Sequence, residues 1–155
     1  MIAEFEHLTP EEQSLIYSTP VLVAILVAGA DGKIDKSEMR EAISISKLKK
    51  KRARKDLIEY YQQVGEDFED KLMVGINKYP SDPHERQQVI SEELKAINKI
   101  LPKLDKKFAL KYYESLKDFA KRIAEASGGI LGYMSVGYEE SKLIELKMIK
   151  DPRKH

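Results

Sequence analysis

The sequence predicts an all-α protein, a single compact bundle of seven or eight helices spanning residues 1–155 as one domain. Three observations carry this expectation. All six prolines stand where helices can begin or end. Apolar residues recur at spacings of three and four through most of the chain, and no stretch shows the sustained alternation of a strand. A chain of this length favours one domain, burying roughly 70% of the surface its unfolded form exposes.

Taken in order, Thr9-Pro10-Glu11-Glu12 combines a Thr N-cap, Pro at the first helical position and Glu at the third. Ser18-Thr19-Pro20 repeats the start signal, so a short helix near 10–17 is expected to precede a second near 20–30. That second helix is apolar on every side, the pattern of a helix at the centre of a bundle. Asp35-Lys-Ser-Glu38 opens a helix to about Leu48, and a further helix near 54–64 stops at Gly65. Phe68, Leu72 and Ile76 mark a helix near 66–78. Asp82-Pro83 starts another, striped by Ile90, Leu94, Ile97 and Leu101. Asp105 caps the next, with Phe108, Tyr112, Leu116, Phe119 and Ile123 as its stripe. A last helix is expected from about Tyr138 to Lys150. Between the last two, Gly128, Gly129, Gly132 and Gly137 predict a loop, SGGILGYMSVG.

Composition excludes several classes. There is no cysteine, hence no disulfide framework, thiol nucleophile or Cys-based zinc site. The longest apolar run, Val21 to Ala28, is far short of the ~20 residues that span a bilayer. The acidic start, Met1-Ile-Ala-Glu4-Phe-Glu6, is unlike a signal peptide, so a cytoplasmic protein is expected. The formal charge is +1, but it is unevenly placed. Seven of nine residues between Lys47 and Lys55 are basic, which leaves 20 basic against 26 acidic residues, about −6, elsewhere. Glu66-Asp-Phe-Glu-Asp70 is an opposing acidic block.

Asp31-Gly-Lys-Ile-Asp35-Lys-Ser-Glu38 matches the second half of a calcium-binding EF-hand loop, where Asp-Gly turns the chain and Glu closes the site. Aligned on Gly32, the first and third loop positions hold Val27 and Gly29 in place of carboxylates. The plainer alternative makes Asp31 and Gly32 a turn, with Asp35 and Glu38 capping the next helix. The second glycine-rich stretch has a similar grammar. Ala126-Ser-Gly-Gly-Ile130 parallels Ala30-Asp-Gly-Lys-Ile34, and Gly137-Tyr-Glu-Glu140 parallels Asp35-Lys-Ser-Glu38. An internal pseudo-twofold helix–loop–helix repeat would bring Asp31, Asp35, Glu38, Glu139 and Glu140 together.

The stretch from Pro20 through Ala30-Asp-Gly-Lys-Ile34 to Glu38 resembles the signature of the TerB-like (tellurite-resistance B) family, an apolar helix running into Ala-Asp-Gly-x-Ile-x-x-x-Glu. Ser127-Gly-Gly-Ile-Leu-Gly132, followed by Glu139-Glu140, is similar to the end of many stand-alone members. Together these motifs cover about a quarter of the chain. The resemblance implies a compact all-α fold, no enzymatic activity, and a stress-response role in protein complexes, some membrane-associated. It also implies a divalent-metal site built from acids. Asp31 and Glu38 match the first motif, Glu140 takes the equivalent place in the second, and Gly128 stands where the second Asp would be. With Asp35 added, the donors are all oxygens, which suits calcium or magnesium.

The run Lys47, Lys49, Lys50, Lys51, Arg52, Arg54 and Lys55 is a candidate anion-binding patch. It has no interleaved aromatics to stack on bases, so nucleic acid is disfavoured as its partner. The plainer alternative is a solvated helix end whose cations complement the helix dipole. His7, His84 and His155 are scattered, and no nucleophile elbow, phosphate loop or dinucleotide turn is present. The expectation is therefore a non-enzyme with a protein partner. An electrostatic adaptor using residues 47–55 on nucleic acid or an anionic membrane is the alternative. An enzyme using Glu139 and Glu140 in the glycine loop is a distant third.

Overall fold

A computed structural model describes residues 2–28, 55–134 and 145–154. Among the described residues the protein is all-helical, with no strand. Five α-helices follow one another: α1, Pro10–Ala28; α2, Lys55–Glu66; α3, Phe68–Lys78; α4, Pro83–Lys95; and α5, Lys106–Met134. Short 3₁₀ turns occupy Ala3–Phe5, Ala96–Lys99, Leu101–Lys103 and Pro152–Lys154. The bundle is organised around α1, which packs against each of the other four helices. Every residue from Val21 to Val27 is buried, as an all-apolar helix at the centre requires.

The helix starts follow their local chemistry. Thr9 and Glu12 form a reciprocal capping box: Glu12 N–H donates to Thr9 Oγ1 (3.1 Å) and Thr9 N–H to Glu12 Oε1 (3.0 Å). Asp82 Oδ2 accepts from Glu85 N–H at 3.0 Å, and Asp105 Oδ2 from Phe108 N–H at 3.1 Å. The stripe Phe108, Tyr112, Leu116, Phe119 and Ile123 is buried as its spacing predicts.

Four boundaries differ from expectation. The first two helices are one, with Pro20 inside α1. A proline here removes the N–H that would bond the Ile16 carbonyl, leaving a buried acceptor open. Two distant side chains reach that acceptor. Tyr60 of α2 donates to Ile16 O at 2.6 Å, and the Tyr112 hydroxyl of α5 lies 3.4 Å from the same oxygen and 3.0 Å from the Tyr60 hydroxyl. Thr19, whose place before proline disfavours helix, is held by a bond from its hydroxyl to Leu15 O at 2.8 Å. The helix continues because tertiary partners replace the missing bond.

The second difference is the glycine loop. Gly128, Gly129 and Gly132 lie within α5, which runs to Met134. Glycine costs a helix about 1 kcal/mol against alanine but forbids nothing, and the long stripe of α5 outweighs that cost. Gly137 lies outside the described residues, as do residues 30–38, so the pseudo-repeat falls largely there. Third, the end of the expected Tyr138–Lys150 helix is not helical. Residues 145–150 form turns, with Leu146 at φ 51° and buried beside Ile149; residues 138–144 lie outside the described residues. Fourth, the expected helix running to Leu101 tightens after Lys95 into the two 3₁₀ turns.

One close approach fixes how α3 meets α1. A Cβ placed on Gly75 would stand 2.6 Å from Ile25 Cδ1, in a core where Ile25 is fully buried. Glycine at this position lets the two backbones come together.

Candidate functional site

The candidate metal ligands Asp31, Asp35, Glu38 and Glu140 lie outside the described residues. So do Lys47, Lys49, Lys50, Lys51, Arg52 and Arg54 of the basic run; Lys55 is described, and it opens α2 exposed to solvent. Among the described residues no three His, Asp or Glu side chains gather as a metal site would need. No described helix is long and apolar enough to cross a membrane. The acidic block 66–70 sits at the α2–α3 junction, where Glu69 and Asp70 occupy the first turn of α3 and favour its positive dipole end. Its described cation is local: Lys71 Nζ is 3.5 Å from Asp67 Oδ2.

Behind α1 the tyrosines form a continuous buried network. Tyr60, Tyr61 and Tyr112 are enclosed, and Tyr61 shares a 2.7 Å hydrogen bond with Ser115, which donates onward to Tyr112 O at 2.6 Å. Tyr17 extends it outward, donating to Gln63 Oε1 at 2.6 Å and accepting from Ile2 N–H at 3.3 Å. Phe5 meets Tyr17, Tyr60 and Phe108 edge-on, with centroids 5.5–5.7 Å apart. Burial pushes Tyr60, Tyr61 and Tyr112 well above the ordinary phenol range. These hydroxyls therefore stay protonated at neutral pH and act as structural donors.

A cleft of about 480 Å³ opens on the opposite side of α1, between Ser14, Ser18 and Leu22, the end of α3 at Lys78 and Tyr79, and Glu93 of α4. Tyr79 donates its hydroxyl to Glu93 and is itself raised above the usual phenol range, first by burial and then by that carboxylate. Lys78 lies over the Tyr79 ring at 5.4 Å from its centroid. The cleft thus offers hydroxyl donors, one cation and two carboxylates, Glu11 and Glu93. It can hold a polar group, but the phenol is too weakly acidic to serve as a base at neutral pH.

The remaining prominent feature is the solvent side of α5, where lysine dominates. It went unmarked in the sequence because its charges are spread through the apolar stripe instead of standing in a run. Tallying charge by helical face would have shown it. Compared with family models, curated proteins and solved structures, the chain matches none.

Proposed function

We propose that the protein is a non-enzymatic, TerB-like helical interaction module. In this reading it works in the cytoplasm with a protein partner in a stress response, including complexes at a membrane. A divalent cation, calcium or magnesium, sits among Asp31, Asp35, Glu38 and Glu140. The observation that supports this most is the burial of Val21–Val27 at the centre of the bundle. The TerB-like pattern has an apolar helix leading to the acid motif, and α1 is apolar and buried over Val21–Val27, shortly before Asp31 in the sequence. A rigid buried helix is a suitable base for an acid-bearing turn, because ligand geometry needs firm support.

Titration calorimetry with Ca²⁺, Mg²⁺ and Mn²⁺ tests the metal part. Binding below millimolar that disappears in Asp31→Asn with Glu38→Gln supports it. Absence of binding, or unchanged binding in that variant, removes the cation from the proposal.

The electrostatic adaptor remains a second reading, favoured by the exposure of Lys55 at the start of α2. Reversing Lys49, Lys50 and Lys51 to Glu separates the two. It abolishes adaptor binding and leaves metal binding intact.

A further inference from the structure

The described surface divides by charge. Residues 2–28 and 55–95 hold five basic and fourteen acidic side chains, a formal −9. Residues 96–134 and 145–154 hold twelve basic and six acidic, a formal +6. Much of that positive charge lies on α5. Opposite its buried stripe, Lys106, Lys107, Lys111, Lys117 and Lys121 are exposed. None of these five has an ion-pair partner among the described residues, whereas Arg122 is held by Asp118 at 2.9 Å. The C-terminal turn Pro152–Lys154 packs against the same helix, with Arg153 paired to Asp151 at 2.6 Å.

The distribution around the helix matters as much as the total. At about 100° per residue the five lysines fan across an arc of about 140°, from Lys106 and Lys117 at one edge through Lys121 and Lys107 to Lys111 at the other. Glu114 stands near the middle of the arc. Together the lysines cover about 22 Å of helix axis. A helix with side chains is about 10–12 Å across, and the major groove of B-form DNA is about 12 Å wide.

We propose that this face docks into the major groove of a DNA duplex, with the lysines at the two edges of the arc meeting phosphates on the two strands. Glu114 then points into the groove, away from the phosphates. A flat anionic membrane would reach only the middle of the arc, where Glu114 stands between Lys121 and Lys107, and would leave Lys106 and Lys111 at the edges unengaged. Single strands are disfavoured because Phe108, Tyr112 and Phe119 are buried and offer no stacking platform. Lysine contacts to phosphate position a protein without reading bases, so binding is independent of sequence.

The test is fluorescence anisotropy of the full chain with a labelled 20-base-pair duplex of mixed sequence. The expected dissociation constant lies between about 10⁻⁶ and 10⁻⁴ M. Neutralising about five phosphates predicts roughly 500-fold weaker binding at 200 mM than at 50 mM salt. Lys107, Lys111, Lys117 and Lys121 all changed to Glu should remove binding, and the same four changed to Gln should flatten the salt dependence; the Gln variant decides if the Glu variant does not fold. Lys49, Lys50 and Lys51 changed to Glu should leave most of the affinity. The proposal is overturned if the duplex does not bind at 50 mM salt, or if binding follows the 49–51 variant and ignores the α5 variants. Preference for vesicles of 30% phosphatidylserine over the duplex at equal salt also overturns it.

Discussion

Helices α1 and α5 both contain residues that local rules read as a break, and both run through them. They pass the obstacle differently. At Pro20 the helix loses a donor, and the buried Ile16 carbonyl it leaves free is met by hydroxyls from α2 and α5. At Gly128, Gly129 and Gly132 no hydrogen-bonding group is lost, so the cost is conformational entropy alone. The first continuity therefore depends on the tertiary structure, while the second is local and additive.

Alkaline titration probes the first most strongly. Burial holds Tyr60, Tyr61 and Tyr112 protonated well past pH 10, where they ionise in the unfolded chain. Their contribution is intact below pH 10 and is lost as pH rises above it. At pH 11 each unfolded phenol gains about 1.4 kcal/mol from ionisation, so the three together lower stability by about 4 kcal/mol. Phenolate absorbance and circular dichroism should then change together. If the tyrosines titrate near pH 10 with the helices intact, the network is open to water.

Next in size, Tyr60→Phe with Tyr112→Phe leaves the Ile16 carbonyl without either hydroxyl, at about 3 kcal/mol in urea unfolding. Pro20→Ala restores the helical donor, so the same pair of changes should cost clearly less in that background. Equal costs in both backgrounds would show that the tyrosines do not compensate for the proline. Gly75→Ala forces a methyl against Ile25 and should cost about 1–2 kcal/mol, measured the same way. The smallest effect belongs to α5. Gly128→Ala and Gly129→Ala should each stabilise by about 0.5–1 kcal/mol, whereas a glycine-dependent turn would make them destabilising.

What the sequence made legible was local. Thr9 with Glu12, Asp82 and Asp105 announce their helix starts because a cap needs only neighbours within three residues. The stripes of α3 to α5 are equally plain, since burial follows helical period. The unbroken α1 was not legible, because the groups that rescue Pro20 lie 40 and 92 positions away, at Tyr60 and Tyr112. Gly75 resembles any helical glycine until Ile25 is placed beside it. The acid motif at 31–38 and the basic run at 47–55 stand out as contiguous text, yet the largest described basic surface is assembled only when α5 is wound.

The short connector between α4 and α5 has a mechanical consequence. His7 Nε2–H donates to Lys103 O at 2.8 Å, and Lys103 Nζ meets Glu12 at 2.6 Å. Five residues before Lys103, in the 3₁₀ turn Ala96–Lys99, Asn98 donates to Met148 O at 2.9 Å and accepts from Lys150 N–H at 2.7 Å. Both extremities of the described chain are thus gripped by one ten-residue buckle. Tension applied at the two ends would load that connector before it reached the buried centre of α1, and the chain would yield first by unclasping its termini.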